Sequence, residues 1–456
     1  MNKSPSRYEM DMTSGPILPK MIRFSLPLML TTILQLLYNA ADMIVVGRFA
    51  GATALAAVGS TGAISGLLVN LFLGLSVGAN VMVAQYYGAN LKNGVSESVH
   101  TSVLLSFVGG IVIGVLGIFL SRPLLVLMDT PEDVLDQAVL YMAIIFAGMP
   151  ANLTYNFAAA VLRAVGDTKR PLYYLTFSGL INVLLNLLFV IVFHMGVAGV
   201  AIATIVSQVV SMVLVIRCLM RQEGPLKLEL KKLHIHKDKV IQIARIGLPA
   251  GLQSSMFSIS NTLIQSSINS FGSVAMAGNT AAANIEGFIM GPLGAFHAAT
   301  MSFVSQNYGA KKFDRLGKCV WYGVLLVMVC ALLLGVPAKI FGETLLGIYA
   351  EEQDVIDWGM IRLNIMAIGY VIGCAGDSFV SGSRGTGNSL VPMLMSILCI
   401  CVFRIFWLYT IFARWHTPEV LYLSYPVSWV IANTAHMITF LVHKRRIIRR
   451  ETLKAA

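Results

Sequence analysis

Twelve long apolar runs constrain the fold of this chain more than any other feature of its sequence. A helix that crosses the roughly 30 Å hydrocarbon core of a bilayer needs about 20 apolar residues, and each run supplies about that number. Continuous runs of this kind are typical of helices, whereas barrel strands show short alternating segments. The sequence therefore predicts an all-α membrane protein with twelve transmembrane helices. The runs lie at approximately 22–47, 55–85, 98–120, 134–160, 171–193, 197–219, 240–271, 280–306, 318–341, 355–380, 390–413 and 420–443.

The composition excludes the main competing classes of protein. Only 12% of the residues are charged and 56% are hydrophobic, whereas soluble domains carry about 25% charged residues. A soluble enzyme of this length would need a more charged surface, and a disordered chain would be far less apolar. The six cysteines form no C-x-x-C pair and no Cys/His cluster, so neither a disulfide framework nor a zinc site is predicted.

The positive charges indicate how the chain is oriented in the membrane rather than which partner it binds. The formal net charge is +11, which in a soluble protein would favour a nucleic-acid partner. If the N-terminus is cytoplasmic, 27 of the 33 lysines and arginines fall on the cytoplasmic side and four fall in the outer loops. This asymmetry follows the positive-inside rule. It predicts a multi-pass protein of the cell membrane with both termini in the cytoplasm and no nucleic-acid partner.

The chain contains an internal repeat. The sequence at 83–89 recurs at 304–310, and the sequence at 163–171 recurs at 384–392, both with an offset of 221 positions. Each half then holds six helices, and because six is even, both halves enter the membrane from the same side as a parallel repeat. We expect two pseudo-symmetric six-helix bundles: an N-lobe at 1–220, a cytoplasmic linker at 221–239 and a C-lobe at 240–456. Two such lobes with a cleft between them are typical of transporters.

The repeated motifs resemble those of the multidrug and toxic compound extrusion (MATE) family over essentially the whole chain. They are the Gln-x-x-Gly-Ala elements at Gln85 and Gln306, the Arg-x-x-Gly-Asp-Thr sequence at 163–168 with its second copy at 384–389, and the Tyr-Asn-x-x-Asp-x-x-x-x-Gly sequence at 38–47. The resemblance implies export of amphipathic, often cationic or aromatic compounds, driven by inward movement of H⁺ or Na⁺.

Asp42 is the first candidate for the coupling residue. An ionisable residue inside a membrane is expensive, so it is a functional candidate by default. Gln35, Tyr38, Asn39 and Asp42 share one face of helix 1, because their spacing is i, i+3, i+4 and i+7. A carboxyl in such surroundings can plausibly take up a proton near neutral pH. The alternative is that Asp42 is only a fixed hydrogen-bonding group.

The resemblance also implies a cation site in the N-lobe. In the family, an acid on helix 1, an Asn and an Asp on helix 5 and a Thr on helix 6 form this site. Asp42, Asn182, Asn186 and Thr204 fall on those positions, with Tyr38 beside them. Asn186 stands where the family has an acid, so one carboxylate is missing. We therefore expect H⁺ as the coupling ion and keep Na⁺ at Asp42, Asn182 and Thr204 as the alternative.

The C-lobe carries its own charged residues within the membrane: Glu286 on helix 8, Arg362 on helix 10 and Arg404 on helix 11. A buried charge needs a partner, so we expect Glu286 to pair with one of the two arginines. Glu286 then either serves as a coupling or substrate-binding acid or only neutralises an arginine. Asp377, near the inner end of helix 10, is expected to act at a cytoplasmic gate or to pair with Arg384.

A substrate cleft lined by polar side chains completes the interpretation. Its expected residues are Gln35, Asn39, Asn261, Gln265 and Glu286. The sequence thus predicts a monomeric efflux antiporter that sits in the lipid bilayer, exchanges small organic cations and drugs for H⁺ (alternatively Na⁺) and needs no cofactor. The main alternative is a lipid or lipid-linked saccharide flippase of the same superfamily. An enzyme is not expected, since no catalytic constellation is visible.

Overall fold

The computed structural model describes residues 8–128 and 130–455. Within these residues the chain forms twelve long helices. They are joined by short turns, by a one-turn helix at Gly342–Leu346 and, at 221–236, by a longer linker with two 3-10 turns, Gly224–Leu226 and Leu230–Lys232. Each predicted apolar run coincides with one of them. In chain order they are α1 (Ile17–Ala50), α2 (Ala52–Gly88), α3 (Lys92–Leu127), α4 (Glu132–Ala147 with Met149–Ala164), α5 (Lys169–Val192), α6 (Gly196–Met220), α7 (Lys237–Asn269), α8 (Ser273–Gly309), α9 (Phe313–Ile340), α10 (Gln353–Gly385), α11 (Leu390–Phe412) and α12 (Pro418–Ala455).

Most of these helices can span a membrane by length and apolarity alone. Eight helices in the described part of the chain meet that test by themselves, and the bent helices α4 and α10 bring the number to ten when each is counted as one span. The remaining two, α7 and α12, are long enough but more polar. Ser, Asn and Gln recur along α7, and α12 ends in a basic run at 443–450.

The chain divides into two compact units whose boundaries differ from the predicted lobes in two places. The first unit holds the chain up to Asp11 and Leu30–Gly251, and the second holds Met12–Met29 and Leu252 to the C-terminus. The first part of α1 therefore belongs with the second half of the sequence. The linker and the first part of α7 belong with the first half.

Glycines explain why the start of α7 belongs to the first unit. Gly74 and Gly78 of α2 face Gly247 and Gly251 of α7, and a Cβ at any of the four would overlap the backbone of the opposite helix. Two small residues one turn apart on each helix allow such close approach of helix backbones. This contact holds the first four turns of α7 against α2.

The segment before Met29 is held within the second unit by hydrogen bonds and ring packing. The amide of Met12 donates to Gln306 Oε1 (3.3 Å), and Asn307 Nδ2 donates to the carbonyl of Met12 (3.0 Å). Further along, the rings of Phe24 and Phe303 meet edge to face with centroids 6.0 Å apart. The repeated Gln-x-x-Gly-Ala element of α8 thus has a structural role in anchoring this segment.

Both halves of the repeat contain π-helical turns at related places. α5 ends in one at Leu188–Val192, and α11 ends in one at Leu408–Phe412. α11 has a second π-helical turn near its start, at Ile397–Val402. Such turns often mark functional sites, and the turn in α5 directly follows the predicted site residue Asn186.

Candidate functional site

In the first unit, Asp42 of α1 meets two asparagines of α5. Asn186 Nδ2 donates a hydrogen bond to Asp42 Oδ1 and lies 3.4 Å from Asn182 Oδ1. Asn182 and Asn186 are buried, with 5% and 1% of their surface exposed, whereas Asp42 is half-buried. Among the described residues Asp42 makes no ion pair. Its carboxylate is therefore held by a neutral amide rather than by a cation.

Tyr38 packs directly against α5 because Gly179 has no side chain. A Cβ at Gly179 would overlap the Tyr38 ring, and the Tyr38 hydroxyl donates to the carbonyl of Thr176 (3.3 Å). This contact sets the distance between α1 and α5, and hence between Asp42 and the asparagines. The sequence reasoning missed Gly179, since a single glycine in a helix is too common a signal to single out.

The amide of Asn186 can serve both protonation states of Asp42. Its Nδ2 donates to the carboxylate, while its Oδ1 is buried and has no hydrogen-bond partner among the described residues. A half-turn of the amide would present Oδ1 as an acceptor to a protonated Asp42. The site is thus able to hold this acid with or without its proton.

Thr204 and Tyr141 stand at the edge of this site. The Thr204 hydroxyl donates to the carbonyl of Val200 (2.9 Å) in its own helix. Tyr141 of α4, which the sequence reasoning missed, interacts electrostatically with Asp42, and no hydrogen bond joins the two in the described part of the chain. Of the predicted sodium ligands, the structure therefore connects Asp42 and Asn182 through Asn186, while Thr204 bonds to its own helix.

The two remaining predicted residues of α1, Gln35 and Asn39, are exposed. They belong to the first unit, whereas the other predicted cleft residues, Asn261, Gln265 and Glu286, belong to the second.

In the second unit, Glu286 of α8 is buried and bound by two residues of α10. Arg362 donates from Nε to Glu286 Oε1 (2.8 Å) and from Nη2 to Oε2 (2.7 Å). The Tyr370 hydroxyl donates to the same Oε2 (2.6 Å). The bidentate geometry is the strongest that an arginine and a carboxylate can form. Of the two arginines considered from the sequence, Arg362 is the partner of Glu286.

Asn279 of α8 extends this network to α7 and α12. Its Oδ1 accepts hydrogen bonds from Arg362 Nη1 (2.5 Å) and from the Tyr422 hydroxyl (3.0 Å). Its Nδ2 donates to Gln265 Oε1 (2.9 Å). Asn279, Tyr370 and Tyr422 were not predicted, because a single Asn or Tyr in an apolar helix does not reveal which helices it will join.

A cavity of about 460 Å³ lies within the second unit, beside this network. It falls within the size range of small-molecule sites. Its walls come from α7, α8, α10, α11 and α12 and combine aromatic side chains with a few polar ones. They include Phe257, Asn261, Gln265, Arg362, Tyr370, Asp377, Arg404, Tyr425, Trp429 and His436.

Arg404 and Asp377 also line this cavity, but neither has the partner that was expected. Arg404 donates from Nε to the Ser428 hydroxyl (3.0 Å) and lies over the Tyr425 ring, 4.0 Å from its centroid. Asp377 makes no ion pair or hydrogen bond with Arg384 in the described residues, and Arg384 Nη2 instead donates to Gln253 (2.9 Å). Of the two roles expected for Asp377, a direct pair with Arg384 is absent among the described residues, and the role at a cytoplasmic gate stays a prediction.

Comparison with known proteins identifies the family. The sequence pattern described as MatE matches residues 27–188 and again residues 249–410. The chain belongs to the MatE family. The two matched segments begin and end 222 positions apart, in agreement with the internal repeat. The predicted resemblance to MATE transporters is confirmed, and the family is one of membrane transporters rather than enzymes.

Similar proteins cover nearly the whole chain. The probable multidrug resistance protein YpnP of Bacillus subtilis is 29% identical over 432 residues, which make up 94% of this chain and 96% of YpnP. YoeA, a probable multidrug resistance protein of the same organism, is 28% identical over 384 residues, 83% of each chain.

Solved structures support the fold. A MOP superfamily transporter from Pyrococcus furiosus superimposes with a TM-score of 0.90 at 21% identity, over 97% of this chain and 99% of that one. An outward-facing multidrug resistance MATE transporter has a TM-score of 0.88 at 23% identity and is covered completely in both directions. These findings confirm the predicted all-α fold with twelve transmembrane helices in two repeats.

Proposed function

We propose that this MatE transporter exports amphipathic organic compounds in exchange for protons, with Asp42 as the coupling residue. The observation that carries the proposal is the environment of Asp42: a half-buried carboxylate that is held by the amide of Asn186 and, within residues 8–128 and 130–455, by no cation. The relatives support export of organic molecules, since they include multidrug resistance proteins and, at 23% identity, an FAD transporter of Shewanella oneidensis. They do not favour the flippase alternative.

Protonation of Asp42 would act through the contact between α1 and α5. The ionised carboxylate accepts the Asn186 hydrogen bond, and the protonated form instead donates to the amide oxygen. The loss of charge and the turn of the amide change how Tyr38 and Asp42 pack on α5. We infer that this change favours one packing of the helices of the first unit and so couples proton uptake to the transport cycle. One charge that crosses 100 mV supplies about 2.3 kcal/mol, enough to drive a substantial substrate gradient.

A proton fits this site better than Na⁺. A sodium ion needs several oxygen ligands, and here Asn186 replaces the second carboxylate that the family resemblance implies. The Thr204 hydroxyl is bonded to the carbonyl of Val200. Proton exchange at a single acid requires neither a second carboxylate nor the Thr204 hydroxyl, because the amide of Asn186 can turn to serve either protonation state of Asp42.

The orientation and assembly complete the proposal. We infer that both termini lie in the cytoplasm, since 27 of the 33 lysines and arginines then face the cytoplasm. We also infer that the protein acts as a monomer in the cell membrane. Substrates enter from the cytoplasm or the inner leaflet.

Reconstituted transport tests the coupling. Purified protein in proteoliposomes that contain a pH-sensitive dye is exposed to cationic, neutral and anionic aromatic compounds, with H⁺ and Na⁺ gradients imposed separately. Transport under a pH gradient alone, with proton movement on addition of substrate, is the expected result. Asp42→Asn should lose this exchange, while Asp133→Asn, at an exposed acid of α4, should retain it. Strict dependence on Na⁺, or full exchange by Asp42→Asn, would show that the proposal is wrong.

A further inference from the structure

The second unit carries arginines at positions where the first unit has its acid site. Asp42 of α1 corresponds to Ile264 of α7, 222 positions later, so the second unit has no acid at the position related to Asp42. Tyr141 of α4 corresponds to Arg362 of α10, 221 positions later. The surroundings of the acid in the first unit thus have basic counterparts in the second, and the electrostatic character of the two related sites is opposite.

Arg404 extends this reversal to α11. It lies 222 positions after Asn182, whereas Pro392, earlier in the same helix, lies 221 positions after Pro171. The π-helical turn at Ile397–Val402 lies between Pro392 and Arg404. Such a turn accommodates one additional residue, which accounts for the change in offset. Arg404 therefore occupies the place of an amide that neighbours Asp42 in the first unit.

Among the residues that the structure describes, the guanidinium of Arg404 lines the cavity without an ion-pair partner. The residue is 5% exposed, and its only hydrogen bond in the described part of the chain runs from Nε to Ser428. Its two terminal nitrogens make none. The group lies over the rings of Tyr425 and Trp429, at 4.0 Å and 5.7 Å from their centroids. Ring stacking orients the guanidinium but leaves its positive charge in place.

The other arginine of the cavity is balanced, because Arg362 is matched by Glu286 through two hydrogen bonds. Asp377 lines the same cavity and makes no ion pair or hydrogen bond with Arg404 among the described residues. Within that part of the chain, Arg404 thus remains a nearly buried positive charge with no ion-pair partner. Because an uncompensated buried charge is costly, an anion that reaches it gains a large electrostatic interaction.

We propose that the cavity of the second unit binds aromatic organic anions. The carboxylate, sulfonate or phosphate of the ligand accepts hydrogen bonds from the two terminal nitrogens of Arg404, a fork that suits such groups. The aromatic part lies among Tyr370, Tyr425 and Trp429. The proposal rests on the proposed export function and names a substrate class for it, opposite in charge to the organic cations expected from the sequence.

Binding to the purified protein, without any gradient, tests this site. The probe is anilinonaphthalene sulfonate, and its neutral counterpart is phenylnaphthylamine, which has the same rings without the sulfonate. Saturable binding of each is measured by fluorescence in nanodiscs of zwitterionic lipid. Arg404→Gln should weaken sulfonate binding by about tenfold or more, because a hydrogen bond to a charged group contributes about 1.5–3 kcal/mol. Binding of the neutral probe should be unchanged.

Three further variants keep the result interpretable. Arg404→Lys retains the charge without the guanidinium fork and should bind the sulfonate with an affinity between those of wild type and Arg404→Gln, while unchanged binding of the neutral probe guards against a folding defect in Arg404→Gln. Arg414→Gln removes an exposed charge at the end of α11 and should have no effect. Asp42→Asn should bind the sulfonate normally even though it loses exchange, so a failure of the coupling proposal is distinguishable from a failure of this one. Equal sulfonate binding by wild type and Arg404→Gln, or an equal loss for the neutral probe, would overturn the inference.

Discussion

The polar sites of the two units differ in how completely their charges are satisfied. In the first unit, Asp42 has one amide partner, and the Oδ1 of that amide is buried and makes no hydrogen bond in the described part of the chain. In the second, Glu286 receives three hydrogen bonds from Arg362 and Tyr370. Duplication kept the helices and changed the chemistry between them. The first site is suited to an acid that gains and loses a proton, and the second to a fixed ion pair.

The physical reason lies in the partner of each acid. A neutral amide can donate to a carboxylate or accept from a carboxylic acid, so it favours neither state strongly. A buried arginine has only donors and keeps its charge. Both carboxylate oxygens of Glu286 are held by fixed donors of Arg362 and Tyr370, so a role in structure suits it better than a role in proton exchange.

The largest expected effect comes from breaking the pair in the second unit. Glu286→Gln leaves Arg362 buried without a counter-charge, which we expect to lower the free energy of unfolding by about 3–5 kcal/mol. Thermal unfolding in detergent, followed by the reactivity of buried cysteines, measures the loss.

Two matched variants test whether the loss arises from the unpaired arginine. The double variant Glu286→Met with Arg362→Met removes both charges and should recover most of the stability. Glu352→Gln, at an exposed acid just before α10, should be neutral. A double variant as unstable as Glu286→Gln would mean that the charge pair does not explain the effect.

An intermediate effect is expected from filling the contact between α1 and α5. Gly179→Ala forces the Tyr38 ring away, at a cost of about 1–3 kcal/mol for overpacking. Because Tyr38 lies one turn from Asp42, proton-driven exchange should fall as well. Gly287→Ala is the control, since a Cβ there meets no other atom within 4 Å. Equal stability and exchange in both variants would argue against a positioning role for Gly179.

The smallest effect on stability is expected at the residue proposed to be most important for exchange. Asp42→Asn keeps an acceptor for Asn186 and removes a charge that has no ionic partner among the described residues, so the free energy of unfolding should change by less than about 1 kcal/mol. The same unfolding assay measures it. A loss as large as that of Glu286→Gln would make Asp42 a structural residue and erase the contrast between the two sites.

Much of the first site was predictable, because its residues repeat at helical spacing and match family motifs. Asp42, Asn182 and Asn186 lie together as expected, whereas Thr204 bonds to its own helix. The second site was predictable only as a set of charges that needed partners. Which arginine would pair with Glu286, and that Asn279 would join α7, α10 and α12, depended on how the helices rotate about their axes. The assignment of residues to the proposed roles stays a prediction.

The sequence by itself determined the twelve helices and the duplication, because apolar length and a constant offset are one-dimensional properties. Only the tertiary structure decided that the first part of α1 belongs with the second half and the first part of α7 with the first half. Pairs such as Gly74 with Gly251 come from distant helices, and a local pattern does not show which backbones will touch. That Arg404 has no ion-pair partner among the described residues was also visible only in three dimensions, because it depends on which side chains the fold brings around the guanidinium.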